Sequence, residues 1–379
     1  MPKKSSATNV LLYADESDAN MMYATRFACP DPFIFIKTSR GRRIYVMSDL
    51  EIDRAKANSN AHRVLSLSDF TARARHKKGR TPKVAEVVAE VLRELRIRSV
   101  NVPINFPVAV ADGLRELNVG VRVGPDPFFP KRLIKSDEEV KWIRQTMRTT
   151  EEGMAAAIDL IRSSRIKNGW LVHGGRRLTA ERVRQAANEA IFARGCVPAL
   201  TIVAPGKQAC DPHEVGSGPI RANEPVIIDI FPRAERTGYF GDITRTVVKG
   251  KASDAVAKIY RTVLAGQRTG VKMIRHGTRC ADVHDAILGF FATRGFQSGP
   301  IDGRMQGFFH GTGHGLGLEI HEPPRIGPGP AVLKAGMVVT VEPGLYYWPI
   351  GGVRIEDTVL VTKDGVKNLT RFPKFLEVD

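Results

Sequence analysis

The sequence predicts an α/β (α+β) protein of two domains, a small α/β domain followed by a larger pseudo-symmetric one. Three observations carry this. At 379 residues the chain exceeds one ordinary core, taking roughly one domain per 150 residues as the guide. Short apolar runs of β-type alternate with helical stretches through the first third, up to a Pro/Gly-rich passage, V-G-P-D-P-F-F-P-K-R, at 123–132. Beyond it, helical stretches alternate with pairs of β-branched segments. Each pair carries two acids at nearly the same spacing, Asp229 and Asp242 being 13 residues apart and Glu342 and Glu356 14.

In chain order, F-I-F-I-K at 33–37 and R-I-Y-V-M-S at 43–48 read as strands separated by the turn signal S-R-G-R-R. Residues 83–96, K-V-A-E-V-V-A-E-V-L-R-E-L-R, repeat apolar groups at helical spacing. The prolines of 123–132 cannot continue a helix, so this passage is the expected linker, closing a domain over 1–132 and opening another over 133–379. A long helix should follow at once, with Ser136 as its N-cap and Glu139 completing a capping box. Helical periodicity returns at 178–194, 252–275 and 279–294. The segments 225–231, 242–249, 337–342 and 353–361 are short and β-branched, so each acid pair reads as two strands joined by a loop.

Hydrophobic content of 42% and charge of 26% are those of a globular protein with a large core. The opening M-P-K-K-S-S-A-T-N-V and the acids Asp15, Glu16 and Asp18 contain no apolar leader, and no apolar run is long enough to span a bilayer. A cytoplasmic protein with no membrane partner is expected. Cys29, Cys196, Cys210 and Cys280 have no paired spacing and read as free thiols. The net charge of +17 invites a nucleic-acid reading, yet residues 1–135 hold 24 Lys+Arg against 14 Asp+Glu, so much of the excess lies in the smaller domain. Its densest run, Ala72 to Arg80, reads as a solvated loop. Nucleic acid is therefore not the expected partner, and a funnel for anionic substrates stays open.

Asp229 ends V-I-I-D and Glu342 sits in M-V-V-T-V-E-P-G, both at the ends of strands apolar enough to be buried. A buried carboxylate without a partner is costly, so a cation is expected beside it. Asp229, Asp242, Glu342 and Glu356 together match two dications held roughly 3.5–4 Å apart, with His314 adding a neutral nitrogen. This mostly oxygen donor set suits Mn, Co, Fe or Zn and differs from the thiolates of structural zinc. Arg245 or Arg354 is the alternative partner, which would make the cluster an ion-pair network without metal. The segment F-F-H-G-T-G-H-G-L-G-L-E-I-H-E-P-P at 308–324 brings His310, His314 and His321 among glycines, the composition of a site lining. One histidine on a metal and another donating to a leaving amine would divide the labour. His213, in A-P-G-K-Q-A-C-D-P-H, gains weight only beside that segment.

Taken in order, G-D-I-T-R-T, H-G-T-G-H-G-L-G-L-E-I-H, V-E-P-G and V-R-I-E-D resemble the pita-bread metallopeptidases, within them the Xaa-Pro peptidases, prolidase and aminopeptidase P. The preceding domain resembles the creatinase-type N-terminal domain. The resemblance implies a pita-bread catalytic domain, two divalent metal ions (Mn, Co or Zn), and cleavage before proline by a hydroxide bridging them. It places Asp229 and Asp242 on one metal and His314, Glu342 and Glu356 on the other, with Asp242 and Glu356 bridging. His213 and His321 would contact the substrate and the leaving nitrogen, Arg354 would orient the bridging carboxylate or the substrate, and His310 would stand behind the ligands. It further implies a dipeptide or short proline-containing peptide as substrate and a homodimer. Dipeptidase activity is the leading expectation and aminopeptidase P the runner-up. A catalytically silent binding protein with a basic surface is the alternative of another class. The chain departs from the family pattern twice. Asp229-Ile230-Phe231-Pro232 replaces D-x-G and bears on substrate fit near Phe231 and Tyr239, and no tyrosine stands near Ala199 or Leu200.

Overall fold

The computed structural model describes residues 8–379, which divide into two compact units, one ending at Arg132 and the other comprising Leu133–Asp379. Most of the opening segment read for an apolar leader, residues 1–7, lies outside the described residues. No helix among the described residues is long and apolar enough to cross a membrane.

The first unit is built on a six-stranded mixed sheet in the spatial order Arg63–Ser66, Arg43–Met47, Phe33–Lys37, Val10–Ala14, Ser99–Val102 and Gly120–Val123. Pleating sends Ile34 and Ile36 to one face, and Phe33 and Phe35 to the other. Each face has its own core. Ile34 and Ile36 pack with Val88, Leu92 and Leu114 from the helices Val84–Glu94 and Val108–Glu116, whereas Phe33 and Phe35 pack with Met21, Tyr45 and Ala55. A strand covered on both sides loses its polar alternation, which is why F-I-F-I-K is continuously apolar. Ala72 to Arg80 is not a loop, as expected from its charge, but largely the end of the helix Leu67–Lys78. Neighbouring acids hold it there: Arg73 meets Glu94 at 2.6 Å, Lys77 meets Glu90 at 2.7 Å and Arg80 meets Glu86 at 2.8 Å.

In the second unit, the helix Asp137–Arg162 starts on the expected capping box, Ser136 Oγ accepting from Glu139 N at 3.3 Å and Glu139 Oε2 from Ser136 N at 2.8 Å. It buries Ile143, Met147, Thr150, Met154, Ala157 and Ile161 along one stripe. The unit is made of two matching halves. In the first, this helix and Ala180–Phe192 precede the hairpin Val226–Ile230 and Ile243–Lys249, part of a four-stranded sheet. In the second, the helices Asp254–Met273 and Cys280–Thr293 precede the hairpin Val338–Val341 and Asp357–Val361, inside a five-stranded sheet. Each hairpin carries one acid pair.

One expected element is divided. Residues 353–361 are not a single strand: Gly351–Arg354 pairs with Gly344–Tyr347, and Asp357–Val361 pairs with Val338–Val341. The first half's hairpin takes up the polar groups at the break. Thr246 Oγ1 donates to Arg354 O at 2.9 Å, and Glu356 N donates to Thr244 O at 3.1 Å. The break therefore places Glu356 between the two sheets.

Candidate metal centre

Asp229 is the fourth residue of Val226–Ile230 and lies opposite Thr244, while Asp242 immediately precedes the partner strand. Glu342 and Glu356 flank the last pair of the other hairpin, Val341 opposite Asp357. His314 enters from the short strand Gly313–Gly315, whose neighbour is Val338–Val341. Glycine is required on either side of it. A Cβ at Gly313 would stand 2.1 Å from Thr340 O, and one at Gly315 2.4 Å from Pro323 O, so the histidine is carried by backbone pressed between strands.

Five predicted residues converge here. One ligand atom each from Asp242, His314 and Glu356, all buried, lies within 4.8 Å of the others. His314 Nε2 is 3.6 Å from Asp242 Oδ2 and 3.2 Å from Glu342 Oε1. Its ring is held from behind by Nδ1 at 3.1 Å from Gly315 O, which aims Nε2 at the acids. Asp229 joins through Arg354, whose Nη2 is 2.6 Å from Asp229 Oδ2.

The electrostatics are those of a site short of positive charge. Burial, reinforced by Glu356 and Asp229, pushes Asp242 well above the usual carboxylate range. Burial with Glu342 and Asp229 does the same to Glu356, and burial raises Asp229 despite Arg354. Burial works against Glu342 too, but His314, His310 and Arg354 hold it down to about 2. Asp229 Oδ1 and Glu356 Oε1 are buried with no hydrogen-bond partner. Arg354 is thus the partner foreseen as an alternative, yet it satisfies only one oxygen of one acid. Arg245 is turned away to Asp357, 3.1 Å from Nη2 to Oδ1. Two orphaned anionic oxygens among four acids and one imidazole fit divalent cations, and Asp229, Asp242, His314, Glu342 and Glu356 can hold them.

Around this centre, His321 meets His314 edge to face with ring centroids 4.4 Å apart, and partial burial with His314 and Arg325 nearby lowers it to about 4. Burial lowers His310 to about 4 as well, and its Nε2 is 2.8 Å from the hydroxyl of Tyr346. His213 is exposed just beyond the short helix Gly206–Cys210, close enough to add to the field at His321. Its neighbour Pro212 accepts a bond from Arg354 Nη1 at 3.3 Å.

Two residues near the site carry little signal in the sequence. Tyr346 is fully buried and reaches Arg354 Nη1 at 3.1 Å, so a tyrosine does brace the arginine behind Asp229, from the hairpin after V-E-P-G instead of from near Ala199. Leu200 is 77% exposed. Arg325 is the cross-strand partner of His314, and its only sequence signal is a place four residues after His321. Tyr239, expected to bear on substrate fit, is instead buried, its hydroxyl 2.5 Å from Glu139 Oε1 and its ring against Trp142.

Residues 141–363 match the model of metallopeptidase family M24. The chain is 34% identical over 251 residues to a Xaa-Pro dipeptidase of Pyrococcus horikoshii, covering 65% of each protein. It is 36% identical over 245 residues to one of Pyrococcus furiosus, covering 63% of this chain and 64% of that one. These matches thus span just under two thirds of either relative. Its fold superimposes on the structure of a Xaa-Pro dipeptidase from Bacillus anthracis with a TM-score of 0.81 at 26% identity, over 98% of this chain and 94% of that one. The likeness extends over the N-terminal unit and the pita-bread catalytic unit alike. With the family match spanning more than half of its length and the motifs it shares lying at one buried cluster, this chain belongs to metallopeptidase family M24.

Proposed function

We propose that the chain is a Xaa-Pro dipeptidase working with two divalent cations held by Asp229, Asp242, His314, Glu342 and Glu356. The reading is carried by the two buried, unpartnered oxygens, Asp229 Oδ1 and Glu356 Oε1, inside an acid cluster that one arginine only begins to neutralise. Asp229 and Asp242 would hold one ion and His314, Glu342 and Glu356 the other. Bound there, the cations supply a water nucleophile at neutral pH and polarise the scissile carbonyl.

The chain's own residues do the positioning. Arg354, braced by Tyr346, occupies Asp229 Oδ2 and so leaves Oδ1 free to face the ions. Thr244 Oγ1, 2.9 Å from Glu356 Oε2, fixes that carboxylate in the same way. His321 presents its ring beside His314, where a donated hydrogen bond stabilises charge developing on the carbonyl oxygen. His213, exposed on its loop, would contact the substrate, and His310 steadies Tyr346.

Arg325 favours a dipeptide over a longer peptide. On a strand paired with that of His314, it shares that residue's side of the ladder and is exposed, so its guanidinium can take the carboxylate of a substrate ending in proline. The relatives named Xaa-Pro dipeptidases support the same choice. A homodimer and a cytoplasmic setting accompany the reading by resemblance.

The test is hydrolysis of Ala-Pro, Ala-Pro-Ala and Ala-Ala by metal-stripped protein before and after adding Mn, Co or Zn. Metal-dependent cleavage of Ala-Pro alone is expected, with Arg325→Ala raising KM for it. Preference for Ala-Pro-Ala would replace the dipeptidase with aminopeptidase P. Cleavage of none with metal bound would favour a silent binding protein.

A further inference from the structure

The excess positive charge has a location that the catalytic reading does not use. In the N-terminal unit, Arg73, Lys77 and Lys78 of Leu67–Lys78 are matched by Glu94, Glu90 and Glu86. Elsewhere on the same unit a concave pocket of about 490 Å³ is lined by Arg40, Arg42, Arg63 and Arg96 with no carboxylate in its lining. Arg63 shares Glu94 with Arg73, at 3.0 Å and 2.6 Å. Arg40, Arg42 and Arg96 have no acidic partner among the described residues. Like charges gathered without counter-charge repel one another, so the arrangement is balanced only when an anion lies among them.

The pocket is also built rigidly. The turn that carries Arg40 and Arg42 is closed by Gly41 N donating to Thr38 O at 2.8 Å and Arg42 N to Thr38 Oγ1 at 3.1 Å. It is tied to the sheet by Ser39 N donating to Asn9 Oδ1 at 2.9 Å. Arg96 follows the helix Val84–Glu94 at a φ of 57°, a left-handed conformation that costs a non-glycine residue energy and that here turns the chain back at the pocket's rim. Buried Ile44 and Ile97 provide an apolar floor beneath the guanidinium groups.

We infer that this pocket binds an oligophosphate of nucleotide size. All four cations are arginines, whose planar forks take phosphate oxygens two at a time, whereas a surface kept basic for solubility would be served as well by lysine. Three guanidinium groups without an acidic partner, with Arg63 beside them, call for an anion of several charges, which a single carboxylate or phosphate does not supply. The volume lies in the range of small-ligand pockets, roughly 300–1,000 Å³, and the apolar floor suits a base or sugar beside the phosphates. The site is independent of the proposed peptidase activity.

The experiment is titration calorimetry of the full chain without added metal, at about 150 mM salt so that diffuse surface attraction is screened. Inorganic tripolyphosphate, ATP and a single-stranded oligonucleotide are the probes. One-to-one binding of tripolyphosphate or ATP is expected, weakened at least about tenfold by Arg40→Ala with Arg42→Ala. The double variant Arg165→Ala with Lys167→Ala, which removes the same charge from an exposed strand of the other unit, should leave the affinity unchanged. Tighter binding of ATP than of tripolyphosphate assigns the floor to the nucleoside, and equal binding assigns the site to the phosphate chain alone. Binding of the oligonucleotide only, an equal loss from both double variants, or no saturable binding at an unchanged melting temperature would each overturn the inference.

Discussion

Asp242→Asn separates a metal centre from an ion-pair network because the two assign opposite signs to the same substitution. Burial and its acid neighbours drive the Asp242 carboxyl well up, so without metal its ionisation, or the uptake of a proton that suppresses it, costs the fold stability. Asparagine keeps the shape and stays neutral without taking up a proton. The main-chain anchors are untouched: Asp242 N to Met147 Sδ at 3.3 Å, and Asp242 O accepting from Thr358 Oγ1 at 2.9 Å. The metal-free variant should therefore melt at or above the wild type. A cation present at about 100 times its dissociation constant stabilises the wild type by about 2.7 kcal/mol. For a unit the size of Leu133–Asp379, at about 2–4 °C per kcal/mol, the melting temperature should rise by about 5–11 °C on adding Mn. In the variant, the rise should fall below about 2 °C, and metal-dependent hydrolysis should vanish with it. Melting curves by near-ultraviolet circular dichroism, with and without Mn at neutral pH, read both quantities. A variant that keeps the full metal-induced rise, or that melts several degrees lower when metal-free, would refute the assignment.

Three further outcomes are expected. In the metal-free fold Asp242 and Glu356 keep protons that an unfolded chain, with carboxyls near about 4, has released. The native state then binds more protons than the unfolded one, so metal-free stability should fall as pH rises from about 4 through the raised native values. Metal binding should expel these protons, and calorimetric heats that do not depend on the buffer's ionisation enthalpy would contradict this. Lys135→Met removes the counter-charge of Glu322, whose Oε2 lies 2.7 Å from Lys135 Nζ with both side chains 2% exposed. The loss should be about 3–5 kcal/mol in urea unfolding and should be largely recovered by adding Glu322→Gln; a neutral single variant would show the pair to be dispensable. His321→Ala should keep metal affinity while kcat for Ala-Pro drops about 100-fold or more, and unchanged turnover would remove it from the reaction.

Much of this site can be read from sequence because its residues obey local rules. The apolar strands before Asp229 and Glu342 mark burial, and a buried acid asks for a cation whatever the surrounding fold. The capping box at Ser136 and the helical stretches fix where the second unit's elements begin. The features that sequence does not convey depend on partners distant in the chain. The strand break before Asp357 comes from Thr244 and Thr246, more than 100 residues away, capturing the backbone of Glu356 and Arg354. Tyr346 cannot be assigned to Arg354 without the fold of the hairpin between them, nor Arg325 to the His314 side of its ladder without the register. The basic run at Ala72 to Arg80 looks like a loop for the same reason: its partners sit on the next helix, a turn of chain beyond any local pattern.

The adjacent acids Glu356 and Asp357 show how the fold distinguishes a carboxylate meant for metal from one meant for protein. Glu356 stands in the break between two strands and Asp357 opens the second of them, and the two carboxylates take different partners. Asp357 points to the side where Arg245 reaches its Oδ1 at 3.1 Å, while Gln267 and Asn368 reach its Oδ2 at 3.2 and 2.9 Å and Lys374 completes the cage. Glu356, one residue earlier, has Thr244 on one oxygen and nothing on the other. Both are almost wholly buried, so burial alone does not separate them. Had the chain only to stabilise acids between its two sheets, Arg245 could have served the Glu356 carboxylate as well as that of Asp357; instead its Nη1 donates to the main-chain oxygens of Thr244 and Glu356 and its Nε to Pro373 O at 3.0 Å, so the guanidinium is taken up by backbone and by Asp357. The same division recurs at Asp229, where Arg354 takes Oδ2 and leaves Oδ1. The orphaned oxygens are thus the ones that the fold withholds from its own cations, and on both hairpins they belong to acids of the centre itself.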